Sequence, residues 1–152
     1  MSLDYATRLT APSRSLRLIL VSAIVFVLAA AGLIGTSSEA NAAATCTNSS
    51  RYNISGTRGI EVPSVGKDSY NTNCVMGQGA YSHGVWVLQR TLKYCYGKNI
   101  ALDNDFGPAT RNALIQVQGS LNIARDGVYG PQTRSAIKWY AATPRTCHKI
   151  YF

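Results

Sequence analysis

Asp103-Asn104-Asp105-Phe106-Gly107-Pro108-Ala109-Thr110-Arg111-Asn112-Ala113-Leu114 and Asp126-Gly127-Val128-Tyr129-Gly130-Pro131-Gln132-Thr133-Arg134-Ser135-Ala136-Ile137 are one pattern written twice, 23 residues apart. A repeat at fixed offset marks one local structure used more than once. Each copy reads as a loop that leads into a helix. The Asp opens a turn by bonding backbone amides two residues on. The aromatic, Phe106 or Tyr129, is expected to drop into the core. The next residue, Gly107 or Gly130, is expected to supply a backbone shape closed to other residues. Pro at the first helical position is pre-set for the helix, where its missing N–H goes unmissed. Thr110 and Thr133 fall in the first turn, where a hydroxyl can meet free amides. Asp103, Phe106, Gly107, Thr110, Asp126, Gly127, Tyr129, Gly130 and Thr133 therefore read as structural residues of the repeat.

Helical periodicity surrounds the repeat. Val85, Leu88, Leu92 and Cys95 recur at three- and four-residue steps, one apolar helix face, with Ser82 placed to cap its start and Gly97 its end. A second periodic stretch runs from Pro108 to Gln118, with Ala109, Ala113, Leu114 and Val117 on one side. A third runs from Pro131 to about Ala142, with Ala136, Ile137 and Tyr140 facing in. Helices this short are stable only when their apolar faces are buried together. The predicted fold is all-α: a compact three-helix domain built around a duplicated loop-helix repeat, with an irregular, disulfide-tied N-terminal lead-in.

Farther out, composition divides the chain. Arg8, Arg14 and Arg17 precede an uncharged run, Leu18 to Gly35, and Ala40-Asn41-Ala42 follows, so residues 1–42 read as a signal peptide cut after Ala42. Residues 43–79 are a Ser/Thr/Asn-rich lead-in with a short strand expected at Gly59–Val62, stopped by Pro63. Residues 80–144 form the repeat domain, and 145–152 a C-terminal tail. After the expected cut, twelve Lys and Arg face five acids, a net charge of +7. Such charge draws an exported protein to polyanions: wall polymers, anionic lipid or nucleic acid. Four cysteines, Cys46, Cys74, Cys95 and Cys147, imply two disulfides in any of three pairings. No metal site is expected, because there is no C-x-x-C pair and His83 and His148 sit at no zinc-finger spacing.

Val85-x-x-Leu88-Gln89-x-x-Leu92 followed by the doubled motif resembles the peptidoglycan-binding-like domain family, small wall-targeting modules. That family's pattern is V-x-x-L-Q-x-x-L, then D-G-x-F-G-x-x-T-x-x-A-V-x-x-F-Q, then a second D-G-x-(V/F)-G-x-x-T. The likeness runs from about His83 to Tyr140. Asn104 stands where the first motif has Gly, and Val117 stands where Phe usually precedes Gln118; Asn tolerates the turn's positive φ. The resemblance implies an all-α three-helix fold that binds peptidoglycan without cleaving it.

Ligand candidates lie beside the motif. Arg111 and Arg134 share a repeat position and could each grip a stem-peptide carboxylate through a bidentate fork. Tyr129, Tyr140 and Trp139 could stack on a sugar face, and Gln118 could bond an N-acetyl group or a loop carbonyl. Catalysis is not expected. Glycan cleavage takes two facing carboxyl groups, whereas Glu61 stands alone in the lead-in and Asp103, Asp105 and Asp126 belong to the turns. The expectation is a monomeric, secreted, cofactor-free, non-enzymatic protein at the cell wall whose partner is peptidoglycan, with no nucleic acid and no stable membrane insertion after the signal is cut. The alternatives are a protein–protein interaction or inhibitor role on the same scaffold, or a weak wall hydrolase.

Overall fold

The computed structural model describes residues 43–152; the expected signal peptide, 1–42, lies outside the described residues. Strand β1 (Asn48–Tyr52) pairs antiparallel with β2 (Ile60–Ser64), Arg51 opposite Glu61. Helices α1 (His83–Tyr96), α2 (Pro108–Ser120) and α3 (Pro131–Ala136) follow. Strand β3 (Lys138–Ala141) then pairs antiparallel with β4 (Thr146–Lys149). The all-α expectation is therefore wrong: among the described residues the fold mixes three short helices with two separate two-stranded sheets.

Two departures produce that result. The lead-in is not irregular. Ile60 and Val62 are fully buried, as is Ser50 across from them, so this stretch packs as a hairpin. Pro63 does not stop the strand, because a two-stranded sheet leaves β2 an outer edge where no N–H is required. The third helix also ends early. Ile137 turns to extended backbone (φ −76°, ψ 158°), and Lys138-Trp139-Tyr140-Ala141 continue as β3. Trp139 is fully buried there, and Cys147 of β4 is bonded to Cys95 of α1, which holds the hairpin on the helix. Pairing with β4 decided what the apolar spacing could not.

Helix α1 begins and ends as its sequence indicates. The Ser82 hydroxyl accepts from the Val85 N–H, and Gly97 takes the left-handed conformation (φ 64°). The second bridge, Cys46–Cys74, closes the lead-in on itself, and both its sulfurs are buried.

The loops of the two copies are held in the same way, by a pair of glutamines, although the second helix of the pair is shorter. Gln89 of α1 is buried; its Nε2 donates to Asp103 Oδ1 (2.7 Å), the Asp105 carbonyl (2.9 Å) and Thr110 Oγ1 (3.0 Å). Its Oε1 accepts from the Asp103 and Asn104 N–H groups. Gln118 of α2 does the same one repeat later. Its Nε2 donates to Asp126 Oδ1 (2.7 Å), the Val128 carbonyl (3.0 Å) and Thr133 Oγ1 (3.2 Å), and its Oε1 accepts from Gly127. Each helix thus clamps the loop that leads into the next. Phe106 and Tyr129 are fully buried, and both pair their backbone with the segment ahead of α1: Phe106 N–H donates to Ala80 O, and Tyr129 exchanges bonds with Met76.

The glycine requirement differs from the sequence reading. Gly107 and Gly130 are extended (φ −76° and −153°). The left-handed positions are Asn104 (φ 67°) and Gly127 (φ 68°), the second residue of each copy. At Gly127 a side chain would also meet Arg111 Cγ at 2.7 Å.

Candidate functional site

Helix α1 buries Val85, Leu88 and Leu92 and carries on its other side a stripe of His83, Trp86, Arg90 and Tyr94, at steps of three, four and four, exposed at His83 and Tyr94 and half-buried at Trp86 and Arg90. At 1.5 Å rise per residue the stripe is roughly 16 Å long. Its side chains stack in series. The His83 and Trp86 rings lie 5.3 Å apart and nearly parallel. The Arg90 guanidinium sits 4.6 Å from the Trp86 ring and 5.7 Å from that of Tyr140. Tyr140, delivered by β3, stacks on Tyr94 at 4.8 Å. Such cation–π and ring contacts hold flat surfaces in fixed relation.

The β1–β2 hairpin supplies the flank. Its register sets Arg51 beside Glu61, with 3.5 Å between Nη2 and Oε1. Arg90 reaches across to Glu61 Oε2 at 2.7 Å, and His83 Nε2 lies 4.0 Å from Oε1. Two cavities share this Arg51–Glu61 wall. One, about 440 Å³, is bordered by Asn48, Lys67, Asp68 and His83; the other, about 280 Å³, lies toward Arg58, Arg90 and Thr143. A third, about 320 Å³, is lined by Tyr94, Tyr140 and Arg145. The face therefore offers ring surfaces and guanidinium donors around a single glutamate. Among the described residues, no group of three His, Cys, Asp or Glu is placed to hold a metal ion, and no helix is long and apolar enough to cross a membrane.

Of the sequence candidates, only Tyr140 borders this face, and it is itself largely buried there (9% exposed). Gln118 spends its amide on the 126–130 loop, bonding the Val128 carbonyl and not a free surface. Tyr129 is fully buried against Trp139 (6.1 Å, edge-on), and burial pushes its phenol well above the usual value despite Arg134 nearby. Trp139 itself is fully buried, its indole N–H donating to the Arg134 carbonyl. Arg111 reaches the Asp126 carbonyl at 3.4 Å. Arg134 donates to Thr72 Oγ1 at 2.9 Å and lies 4.4 Å from the Phe152 ring. The two repeat arginines, equivalent in sequence, thus have different surroundings and do not converge with Tyr140.

The sequence reading did not group the residues of this face, His83, Trp86, Arg90 and Tyr94 with Arg51, Arg58 and Glu61, although it weighed His83 as a metal ligand and Glu61 as a catalytic carboxyl. The first four carried a signal: they recur on the side of α1 away from its apolar face. The hairpin residues carried none, because their place depends on packing across sequence separations such as the 29 residues between Glu61 and Arg90.

Residues 83–137 match a family model described as "Putative peptidoglycan binding domain". Among solved structures, the chain is similar to the SleB N-terminal domain at 34% identity, over 40% of this chain and 84% of that one, with a TM-score of 0.39. It is also similar to a peptidoglycan-binding protein from Clostridioides difficile, solved in complex with glutamine hydroxamate, at 26% identity. That match covers 56% of this chain and about half of the other (53%), with a TM-score of 0.42. No curated protein matches the chain. The family match contains the α1 stripe and both repeat copies but stops short of Tyr140 and begins after the β1–β2 hairpin.

Proposed function

This chain belongs to the peptidoglycan binding domain family through residues 83–137, and on that premise we propose that it is an exported, non-catalytic protein that binds the peptidoglycan of a bacterial cell wall. The observation that carries this reading is the line of four rings, joined through the one Arg90 guanidinium, along α1 and Tyr140. A pyranose has an apolar C–H face and a polar rim. Flat side chains suit the face, and guanidiniums beside them donate to hydroxyl and N-acetyl oxygens on the rim. The two disulfides support export, since such bonds persist in oxidising compartments. The surroundings of Glu61 favour binding over cleavage: Oε2 is committed to Arg90, and Oε1 faces Arg51 and His83.

Co-sedimentation with purified insoluble peptidoglycan tests the reading. The protein is expected to pellet with the polymer and to release no soluble fragments. Tyr94→Ala, which removes a half-exposed ring, should weaken binding about two- to tenfold. Protein left in the supernatant would overturn the function, and soluble fragments would overturn its non-catalytic part. A larger loss from Arg111→Ala than from Tyr94→Ala would move the site to the repeat face.

A further inference from the structure

We propose that the 280 Å³ cavity between the two hairpin turns is a carboxylate-binding site built from Arg51, Arg58 and Arg90. This rests on the wall-binding reading for its source of ligand and adds to it a defined anionic subsite in which Arg90 of the family-matched segment meets Arg51 and Arg58 from outside it.

Three guanidiniums border this cavity and one carboxylate, Glu61, faces them. That carboxylate is already engaged by Arg90 at 2.7 Å and approached by Arg51 at 3.5 Å. The Arg58 side chain has no hydrogen bond or ion pair among the described residues, and Arg51 is 60% exposed with only its long contact to Glu61. Two positive charges are therefore left unmatched around one hollow. Arginine is suited to planar anions because its donors form a rigid fork that meets both oxygens of a carboxylate.

The hollow is built, not incidental. Gly59 adopts φ 92°, and a Cβ there would lie 2.7 Å from Arg51 Cγ and 2.8 Å from Cδ. The missing side chain is the space through which the Arg51 stem passes to the cavity. Arg58, the preceding residue, donates its backbone N–H to the Thr143 carbonyl at 3.3 Å, which ties the β1–β2 turn to the β3–β4 turn and closes the far side. Arg90 is held between the Trp86 and Tyr140 rings, and its buried Nε–H has no partner. The same arginine thus belongs to both the ring stripe and the cavity, so a ligand whose sugar lies on the stripe can place a carboxylate in the hollow.

Wall polymers carry carboxylates on peptide ends and, where the stem peptide has been removed, on the lactyl group of muramic acid, and the chemistry at the guanidiniums is the same for both. Two probes separate these sources: N-acetylalanylalanine and N-acetylmuramic acid, titrated into the intact protein while the arginine Nε–Hε resonances are followed. N-acetylalanylalaninamide is the uncharged control. At least one acid should shift the Arg51 and Arg58 signals, and the responding acid identifies the source. The amide should not shift them. The Arg51→Ala/Arg58→Ala double variant, whose spectrum elsewhere should match that of the parent, should lose affinity about tenfold or more. The proposal fails if neither acid shifts these signals, if the amide acts like the acid, or if the double variant responds undiminished. Response to an acid by a protein that does not pellet with peptidoglycan sinks the wall reading and keeps the cavity. Pelleting with no such response does the reverse.

Discussion

At the scale of single residues, Gln89 and Gln118 do the most for this structure. Each is buried with both amide atoms bonded, and each holds an aspartate, a loop carbonyl and a threonine at once. Gln118→Leu keeps the volume but strands the buried Gly127 N–H and removes one of the two hydrogen bonds on each of Asp126 Oδ1 and the Val128 carbonyl. It should cost about 2–4 kcal/mol of stability in denaturant unfolding, since unpaired buried polar groups are costly. Asp103 shows the clamp electrically. Hydrogen bonds from the Gln89 amide, then from the Asp105 N–H, hold its carboxyl below the usual value. A carboxyl lowered in the folded state adds stability in full above the unfolded value, about 4, and loses it as pH falls through the folded one. Asp103→Asn should therefore lower the unfolding midpoint at neutral pH and flatten its decline below about pH 4, where a protonated Asp and an Asn become alike. An unaltered acid limb would show that the Gln89 bond does not act on this titration. Both glutamines were visible in the sequence as the Q that follows an apolar helix residue, Leu88-Gln89 and Val117-Gln118. Their partners were not, because one side chain gathers groups from 14 to 21 residues away in α1 and 8 to 15 in α2.

At the scale of elements, α1 was legible and the end of α3 was not. Ser82 and Gly97 cap α1 with local bonds, and local chemistry is what a sequence displays. The segment after Ala136 is different: its Ile137, Trp139 and Ala141 are all fully buried, a period of two overlaid on residues that also fit a helical spacing. What settles it is β4 and the Cys95–Cys147 bridge, 52 residues apart in sequence. Closing a loop that long accounts for roughly 4 kcal/mol in the chain-entropy description. The Cys95→Ala/Cys147→Ala double variant should lose about 2–4 kcal/mol, and amide exchange should quicken first in β3 and β4. Uniform loss across the domain, with β3 protected as before, would mean the helix alone holds the hairpin. The bridge matters for the site as well, because β3 brings Tyr140 onto Tyr94.

At the scale of the whole molecule, residues 43–152 belong to one compact unit in which the lead-in hairpin packs with the helices. The net charge of +7 over this stretch acts over distance, whereas the α1 stripe acts on contact. Salt separates the two. Charge attraction between exposed groups fades as the screening length falls from about 10 Å at 0.1 M to 3 Å at 1 M. Ring stacking does not fade in this way. Binding to insoluble peptidoglycan should weaken on going to 1 M salt yet keep a measurable pelleted fraction, and that residue should vanish in Tyr94→Ala first. Complete release of the parent protein by salt would reduce the interaction to attraction between a basic surface and a polyanion.

By itself the sequence determined what neighbours along the chain decide: two alike loops ending in proline-started helices, their aromatics inside, a capped first helix, and cysteines in number for two bridges. Only the tertiary structure decided which cysteines pair, that the lead-in and the last segment are hairpins, and that the ring-lined face belongs to α1 with Tyr140 and Glu61. The physical reason is separation: turns and caps are closed by bonds over a few residues, while strand pairing, a disulfide or a cavity wall depends on chain segments tens of residues apart arriving at the same place.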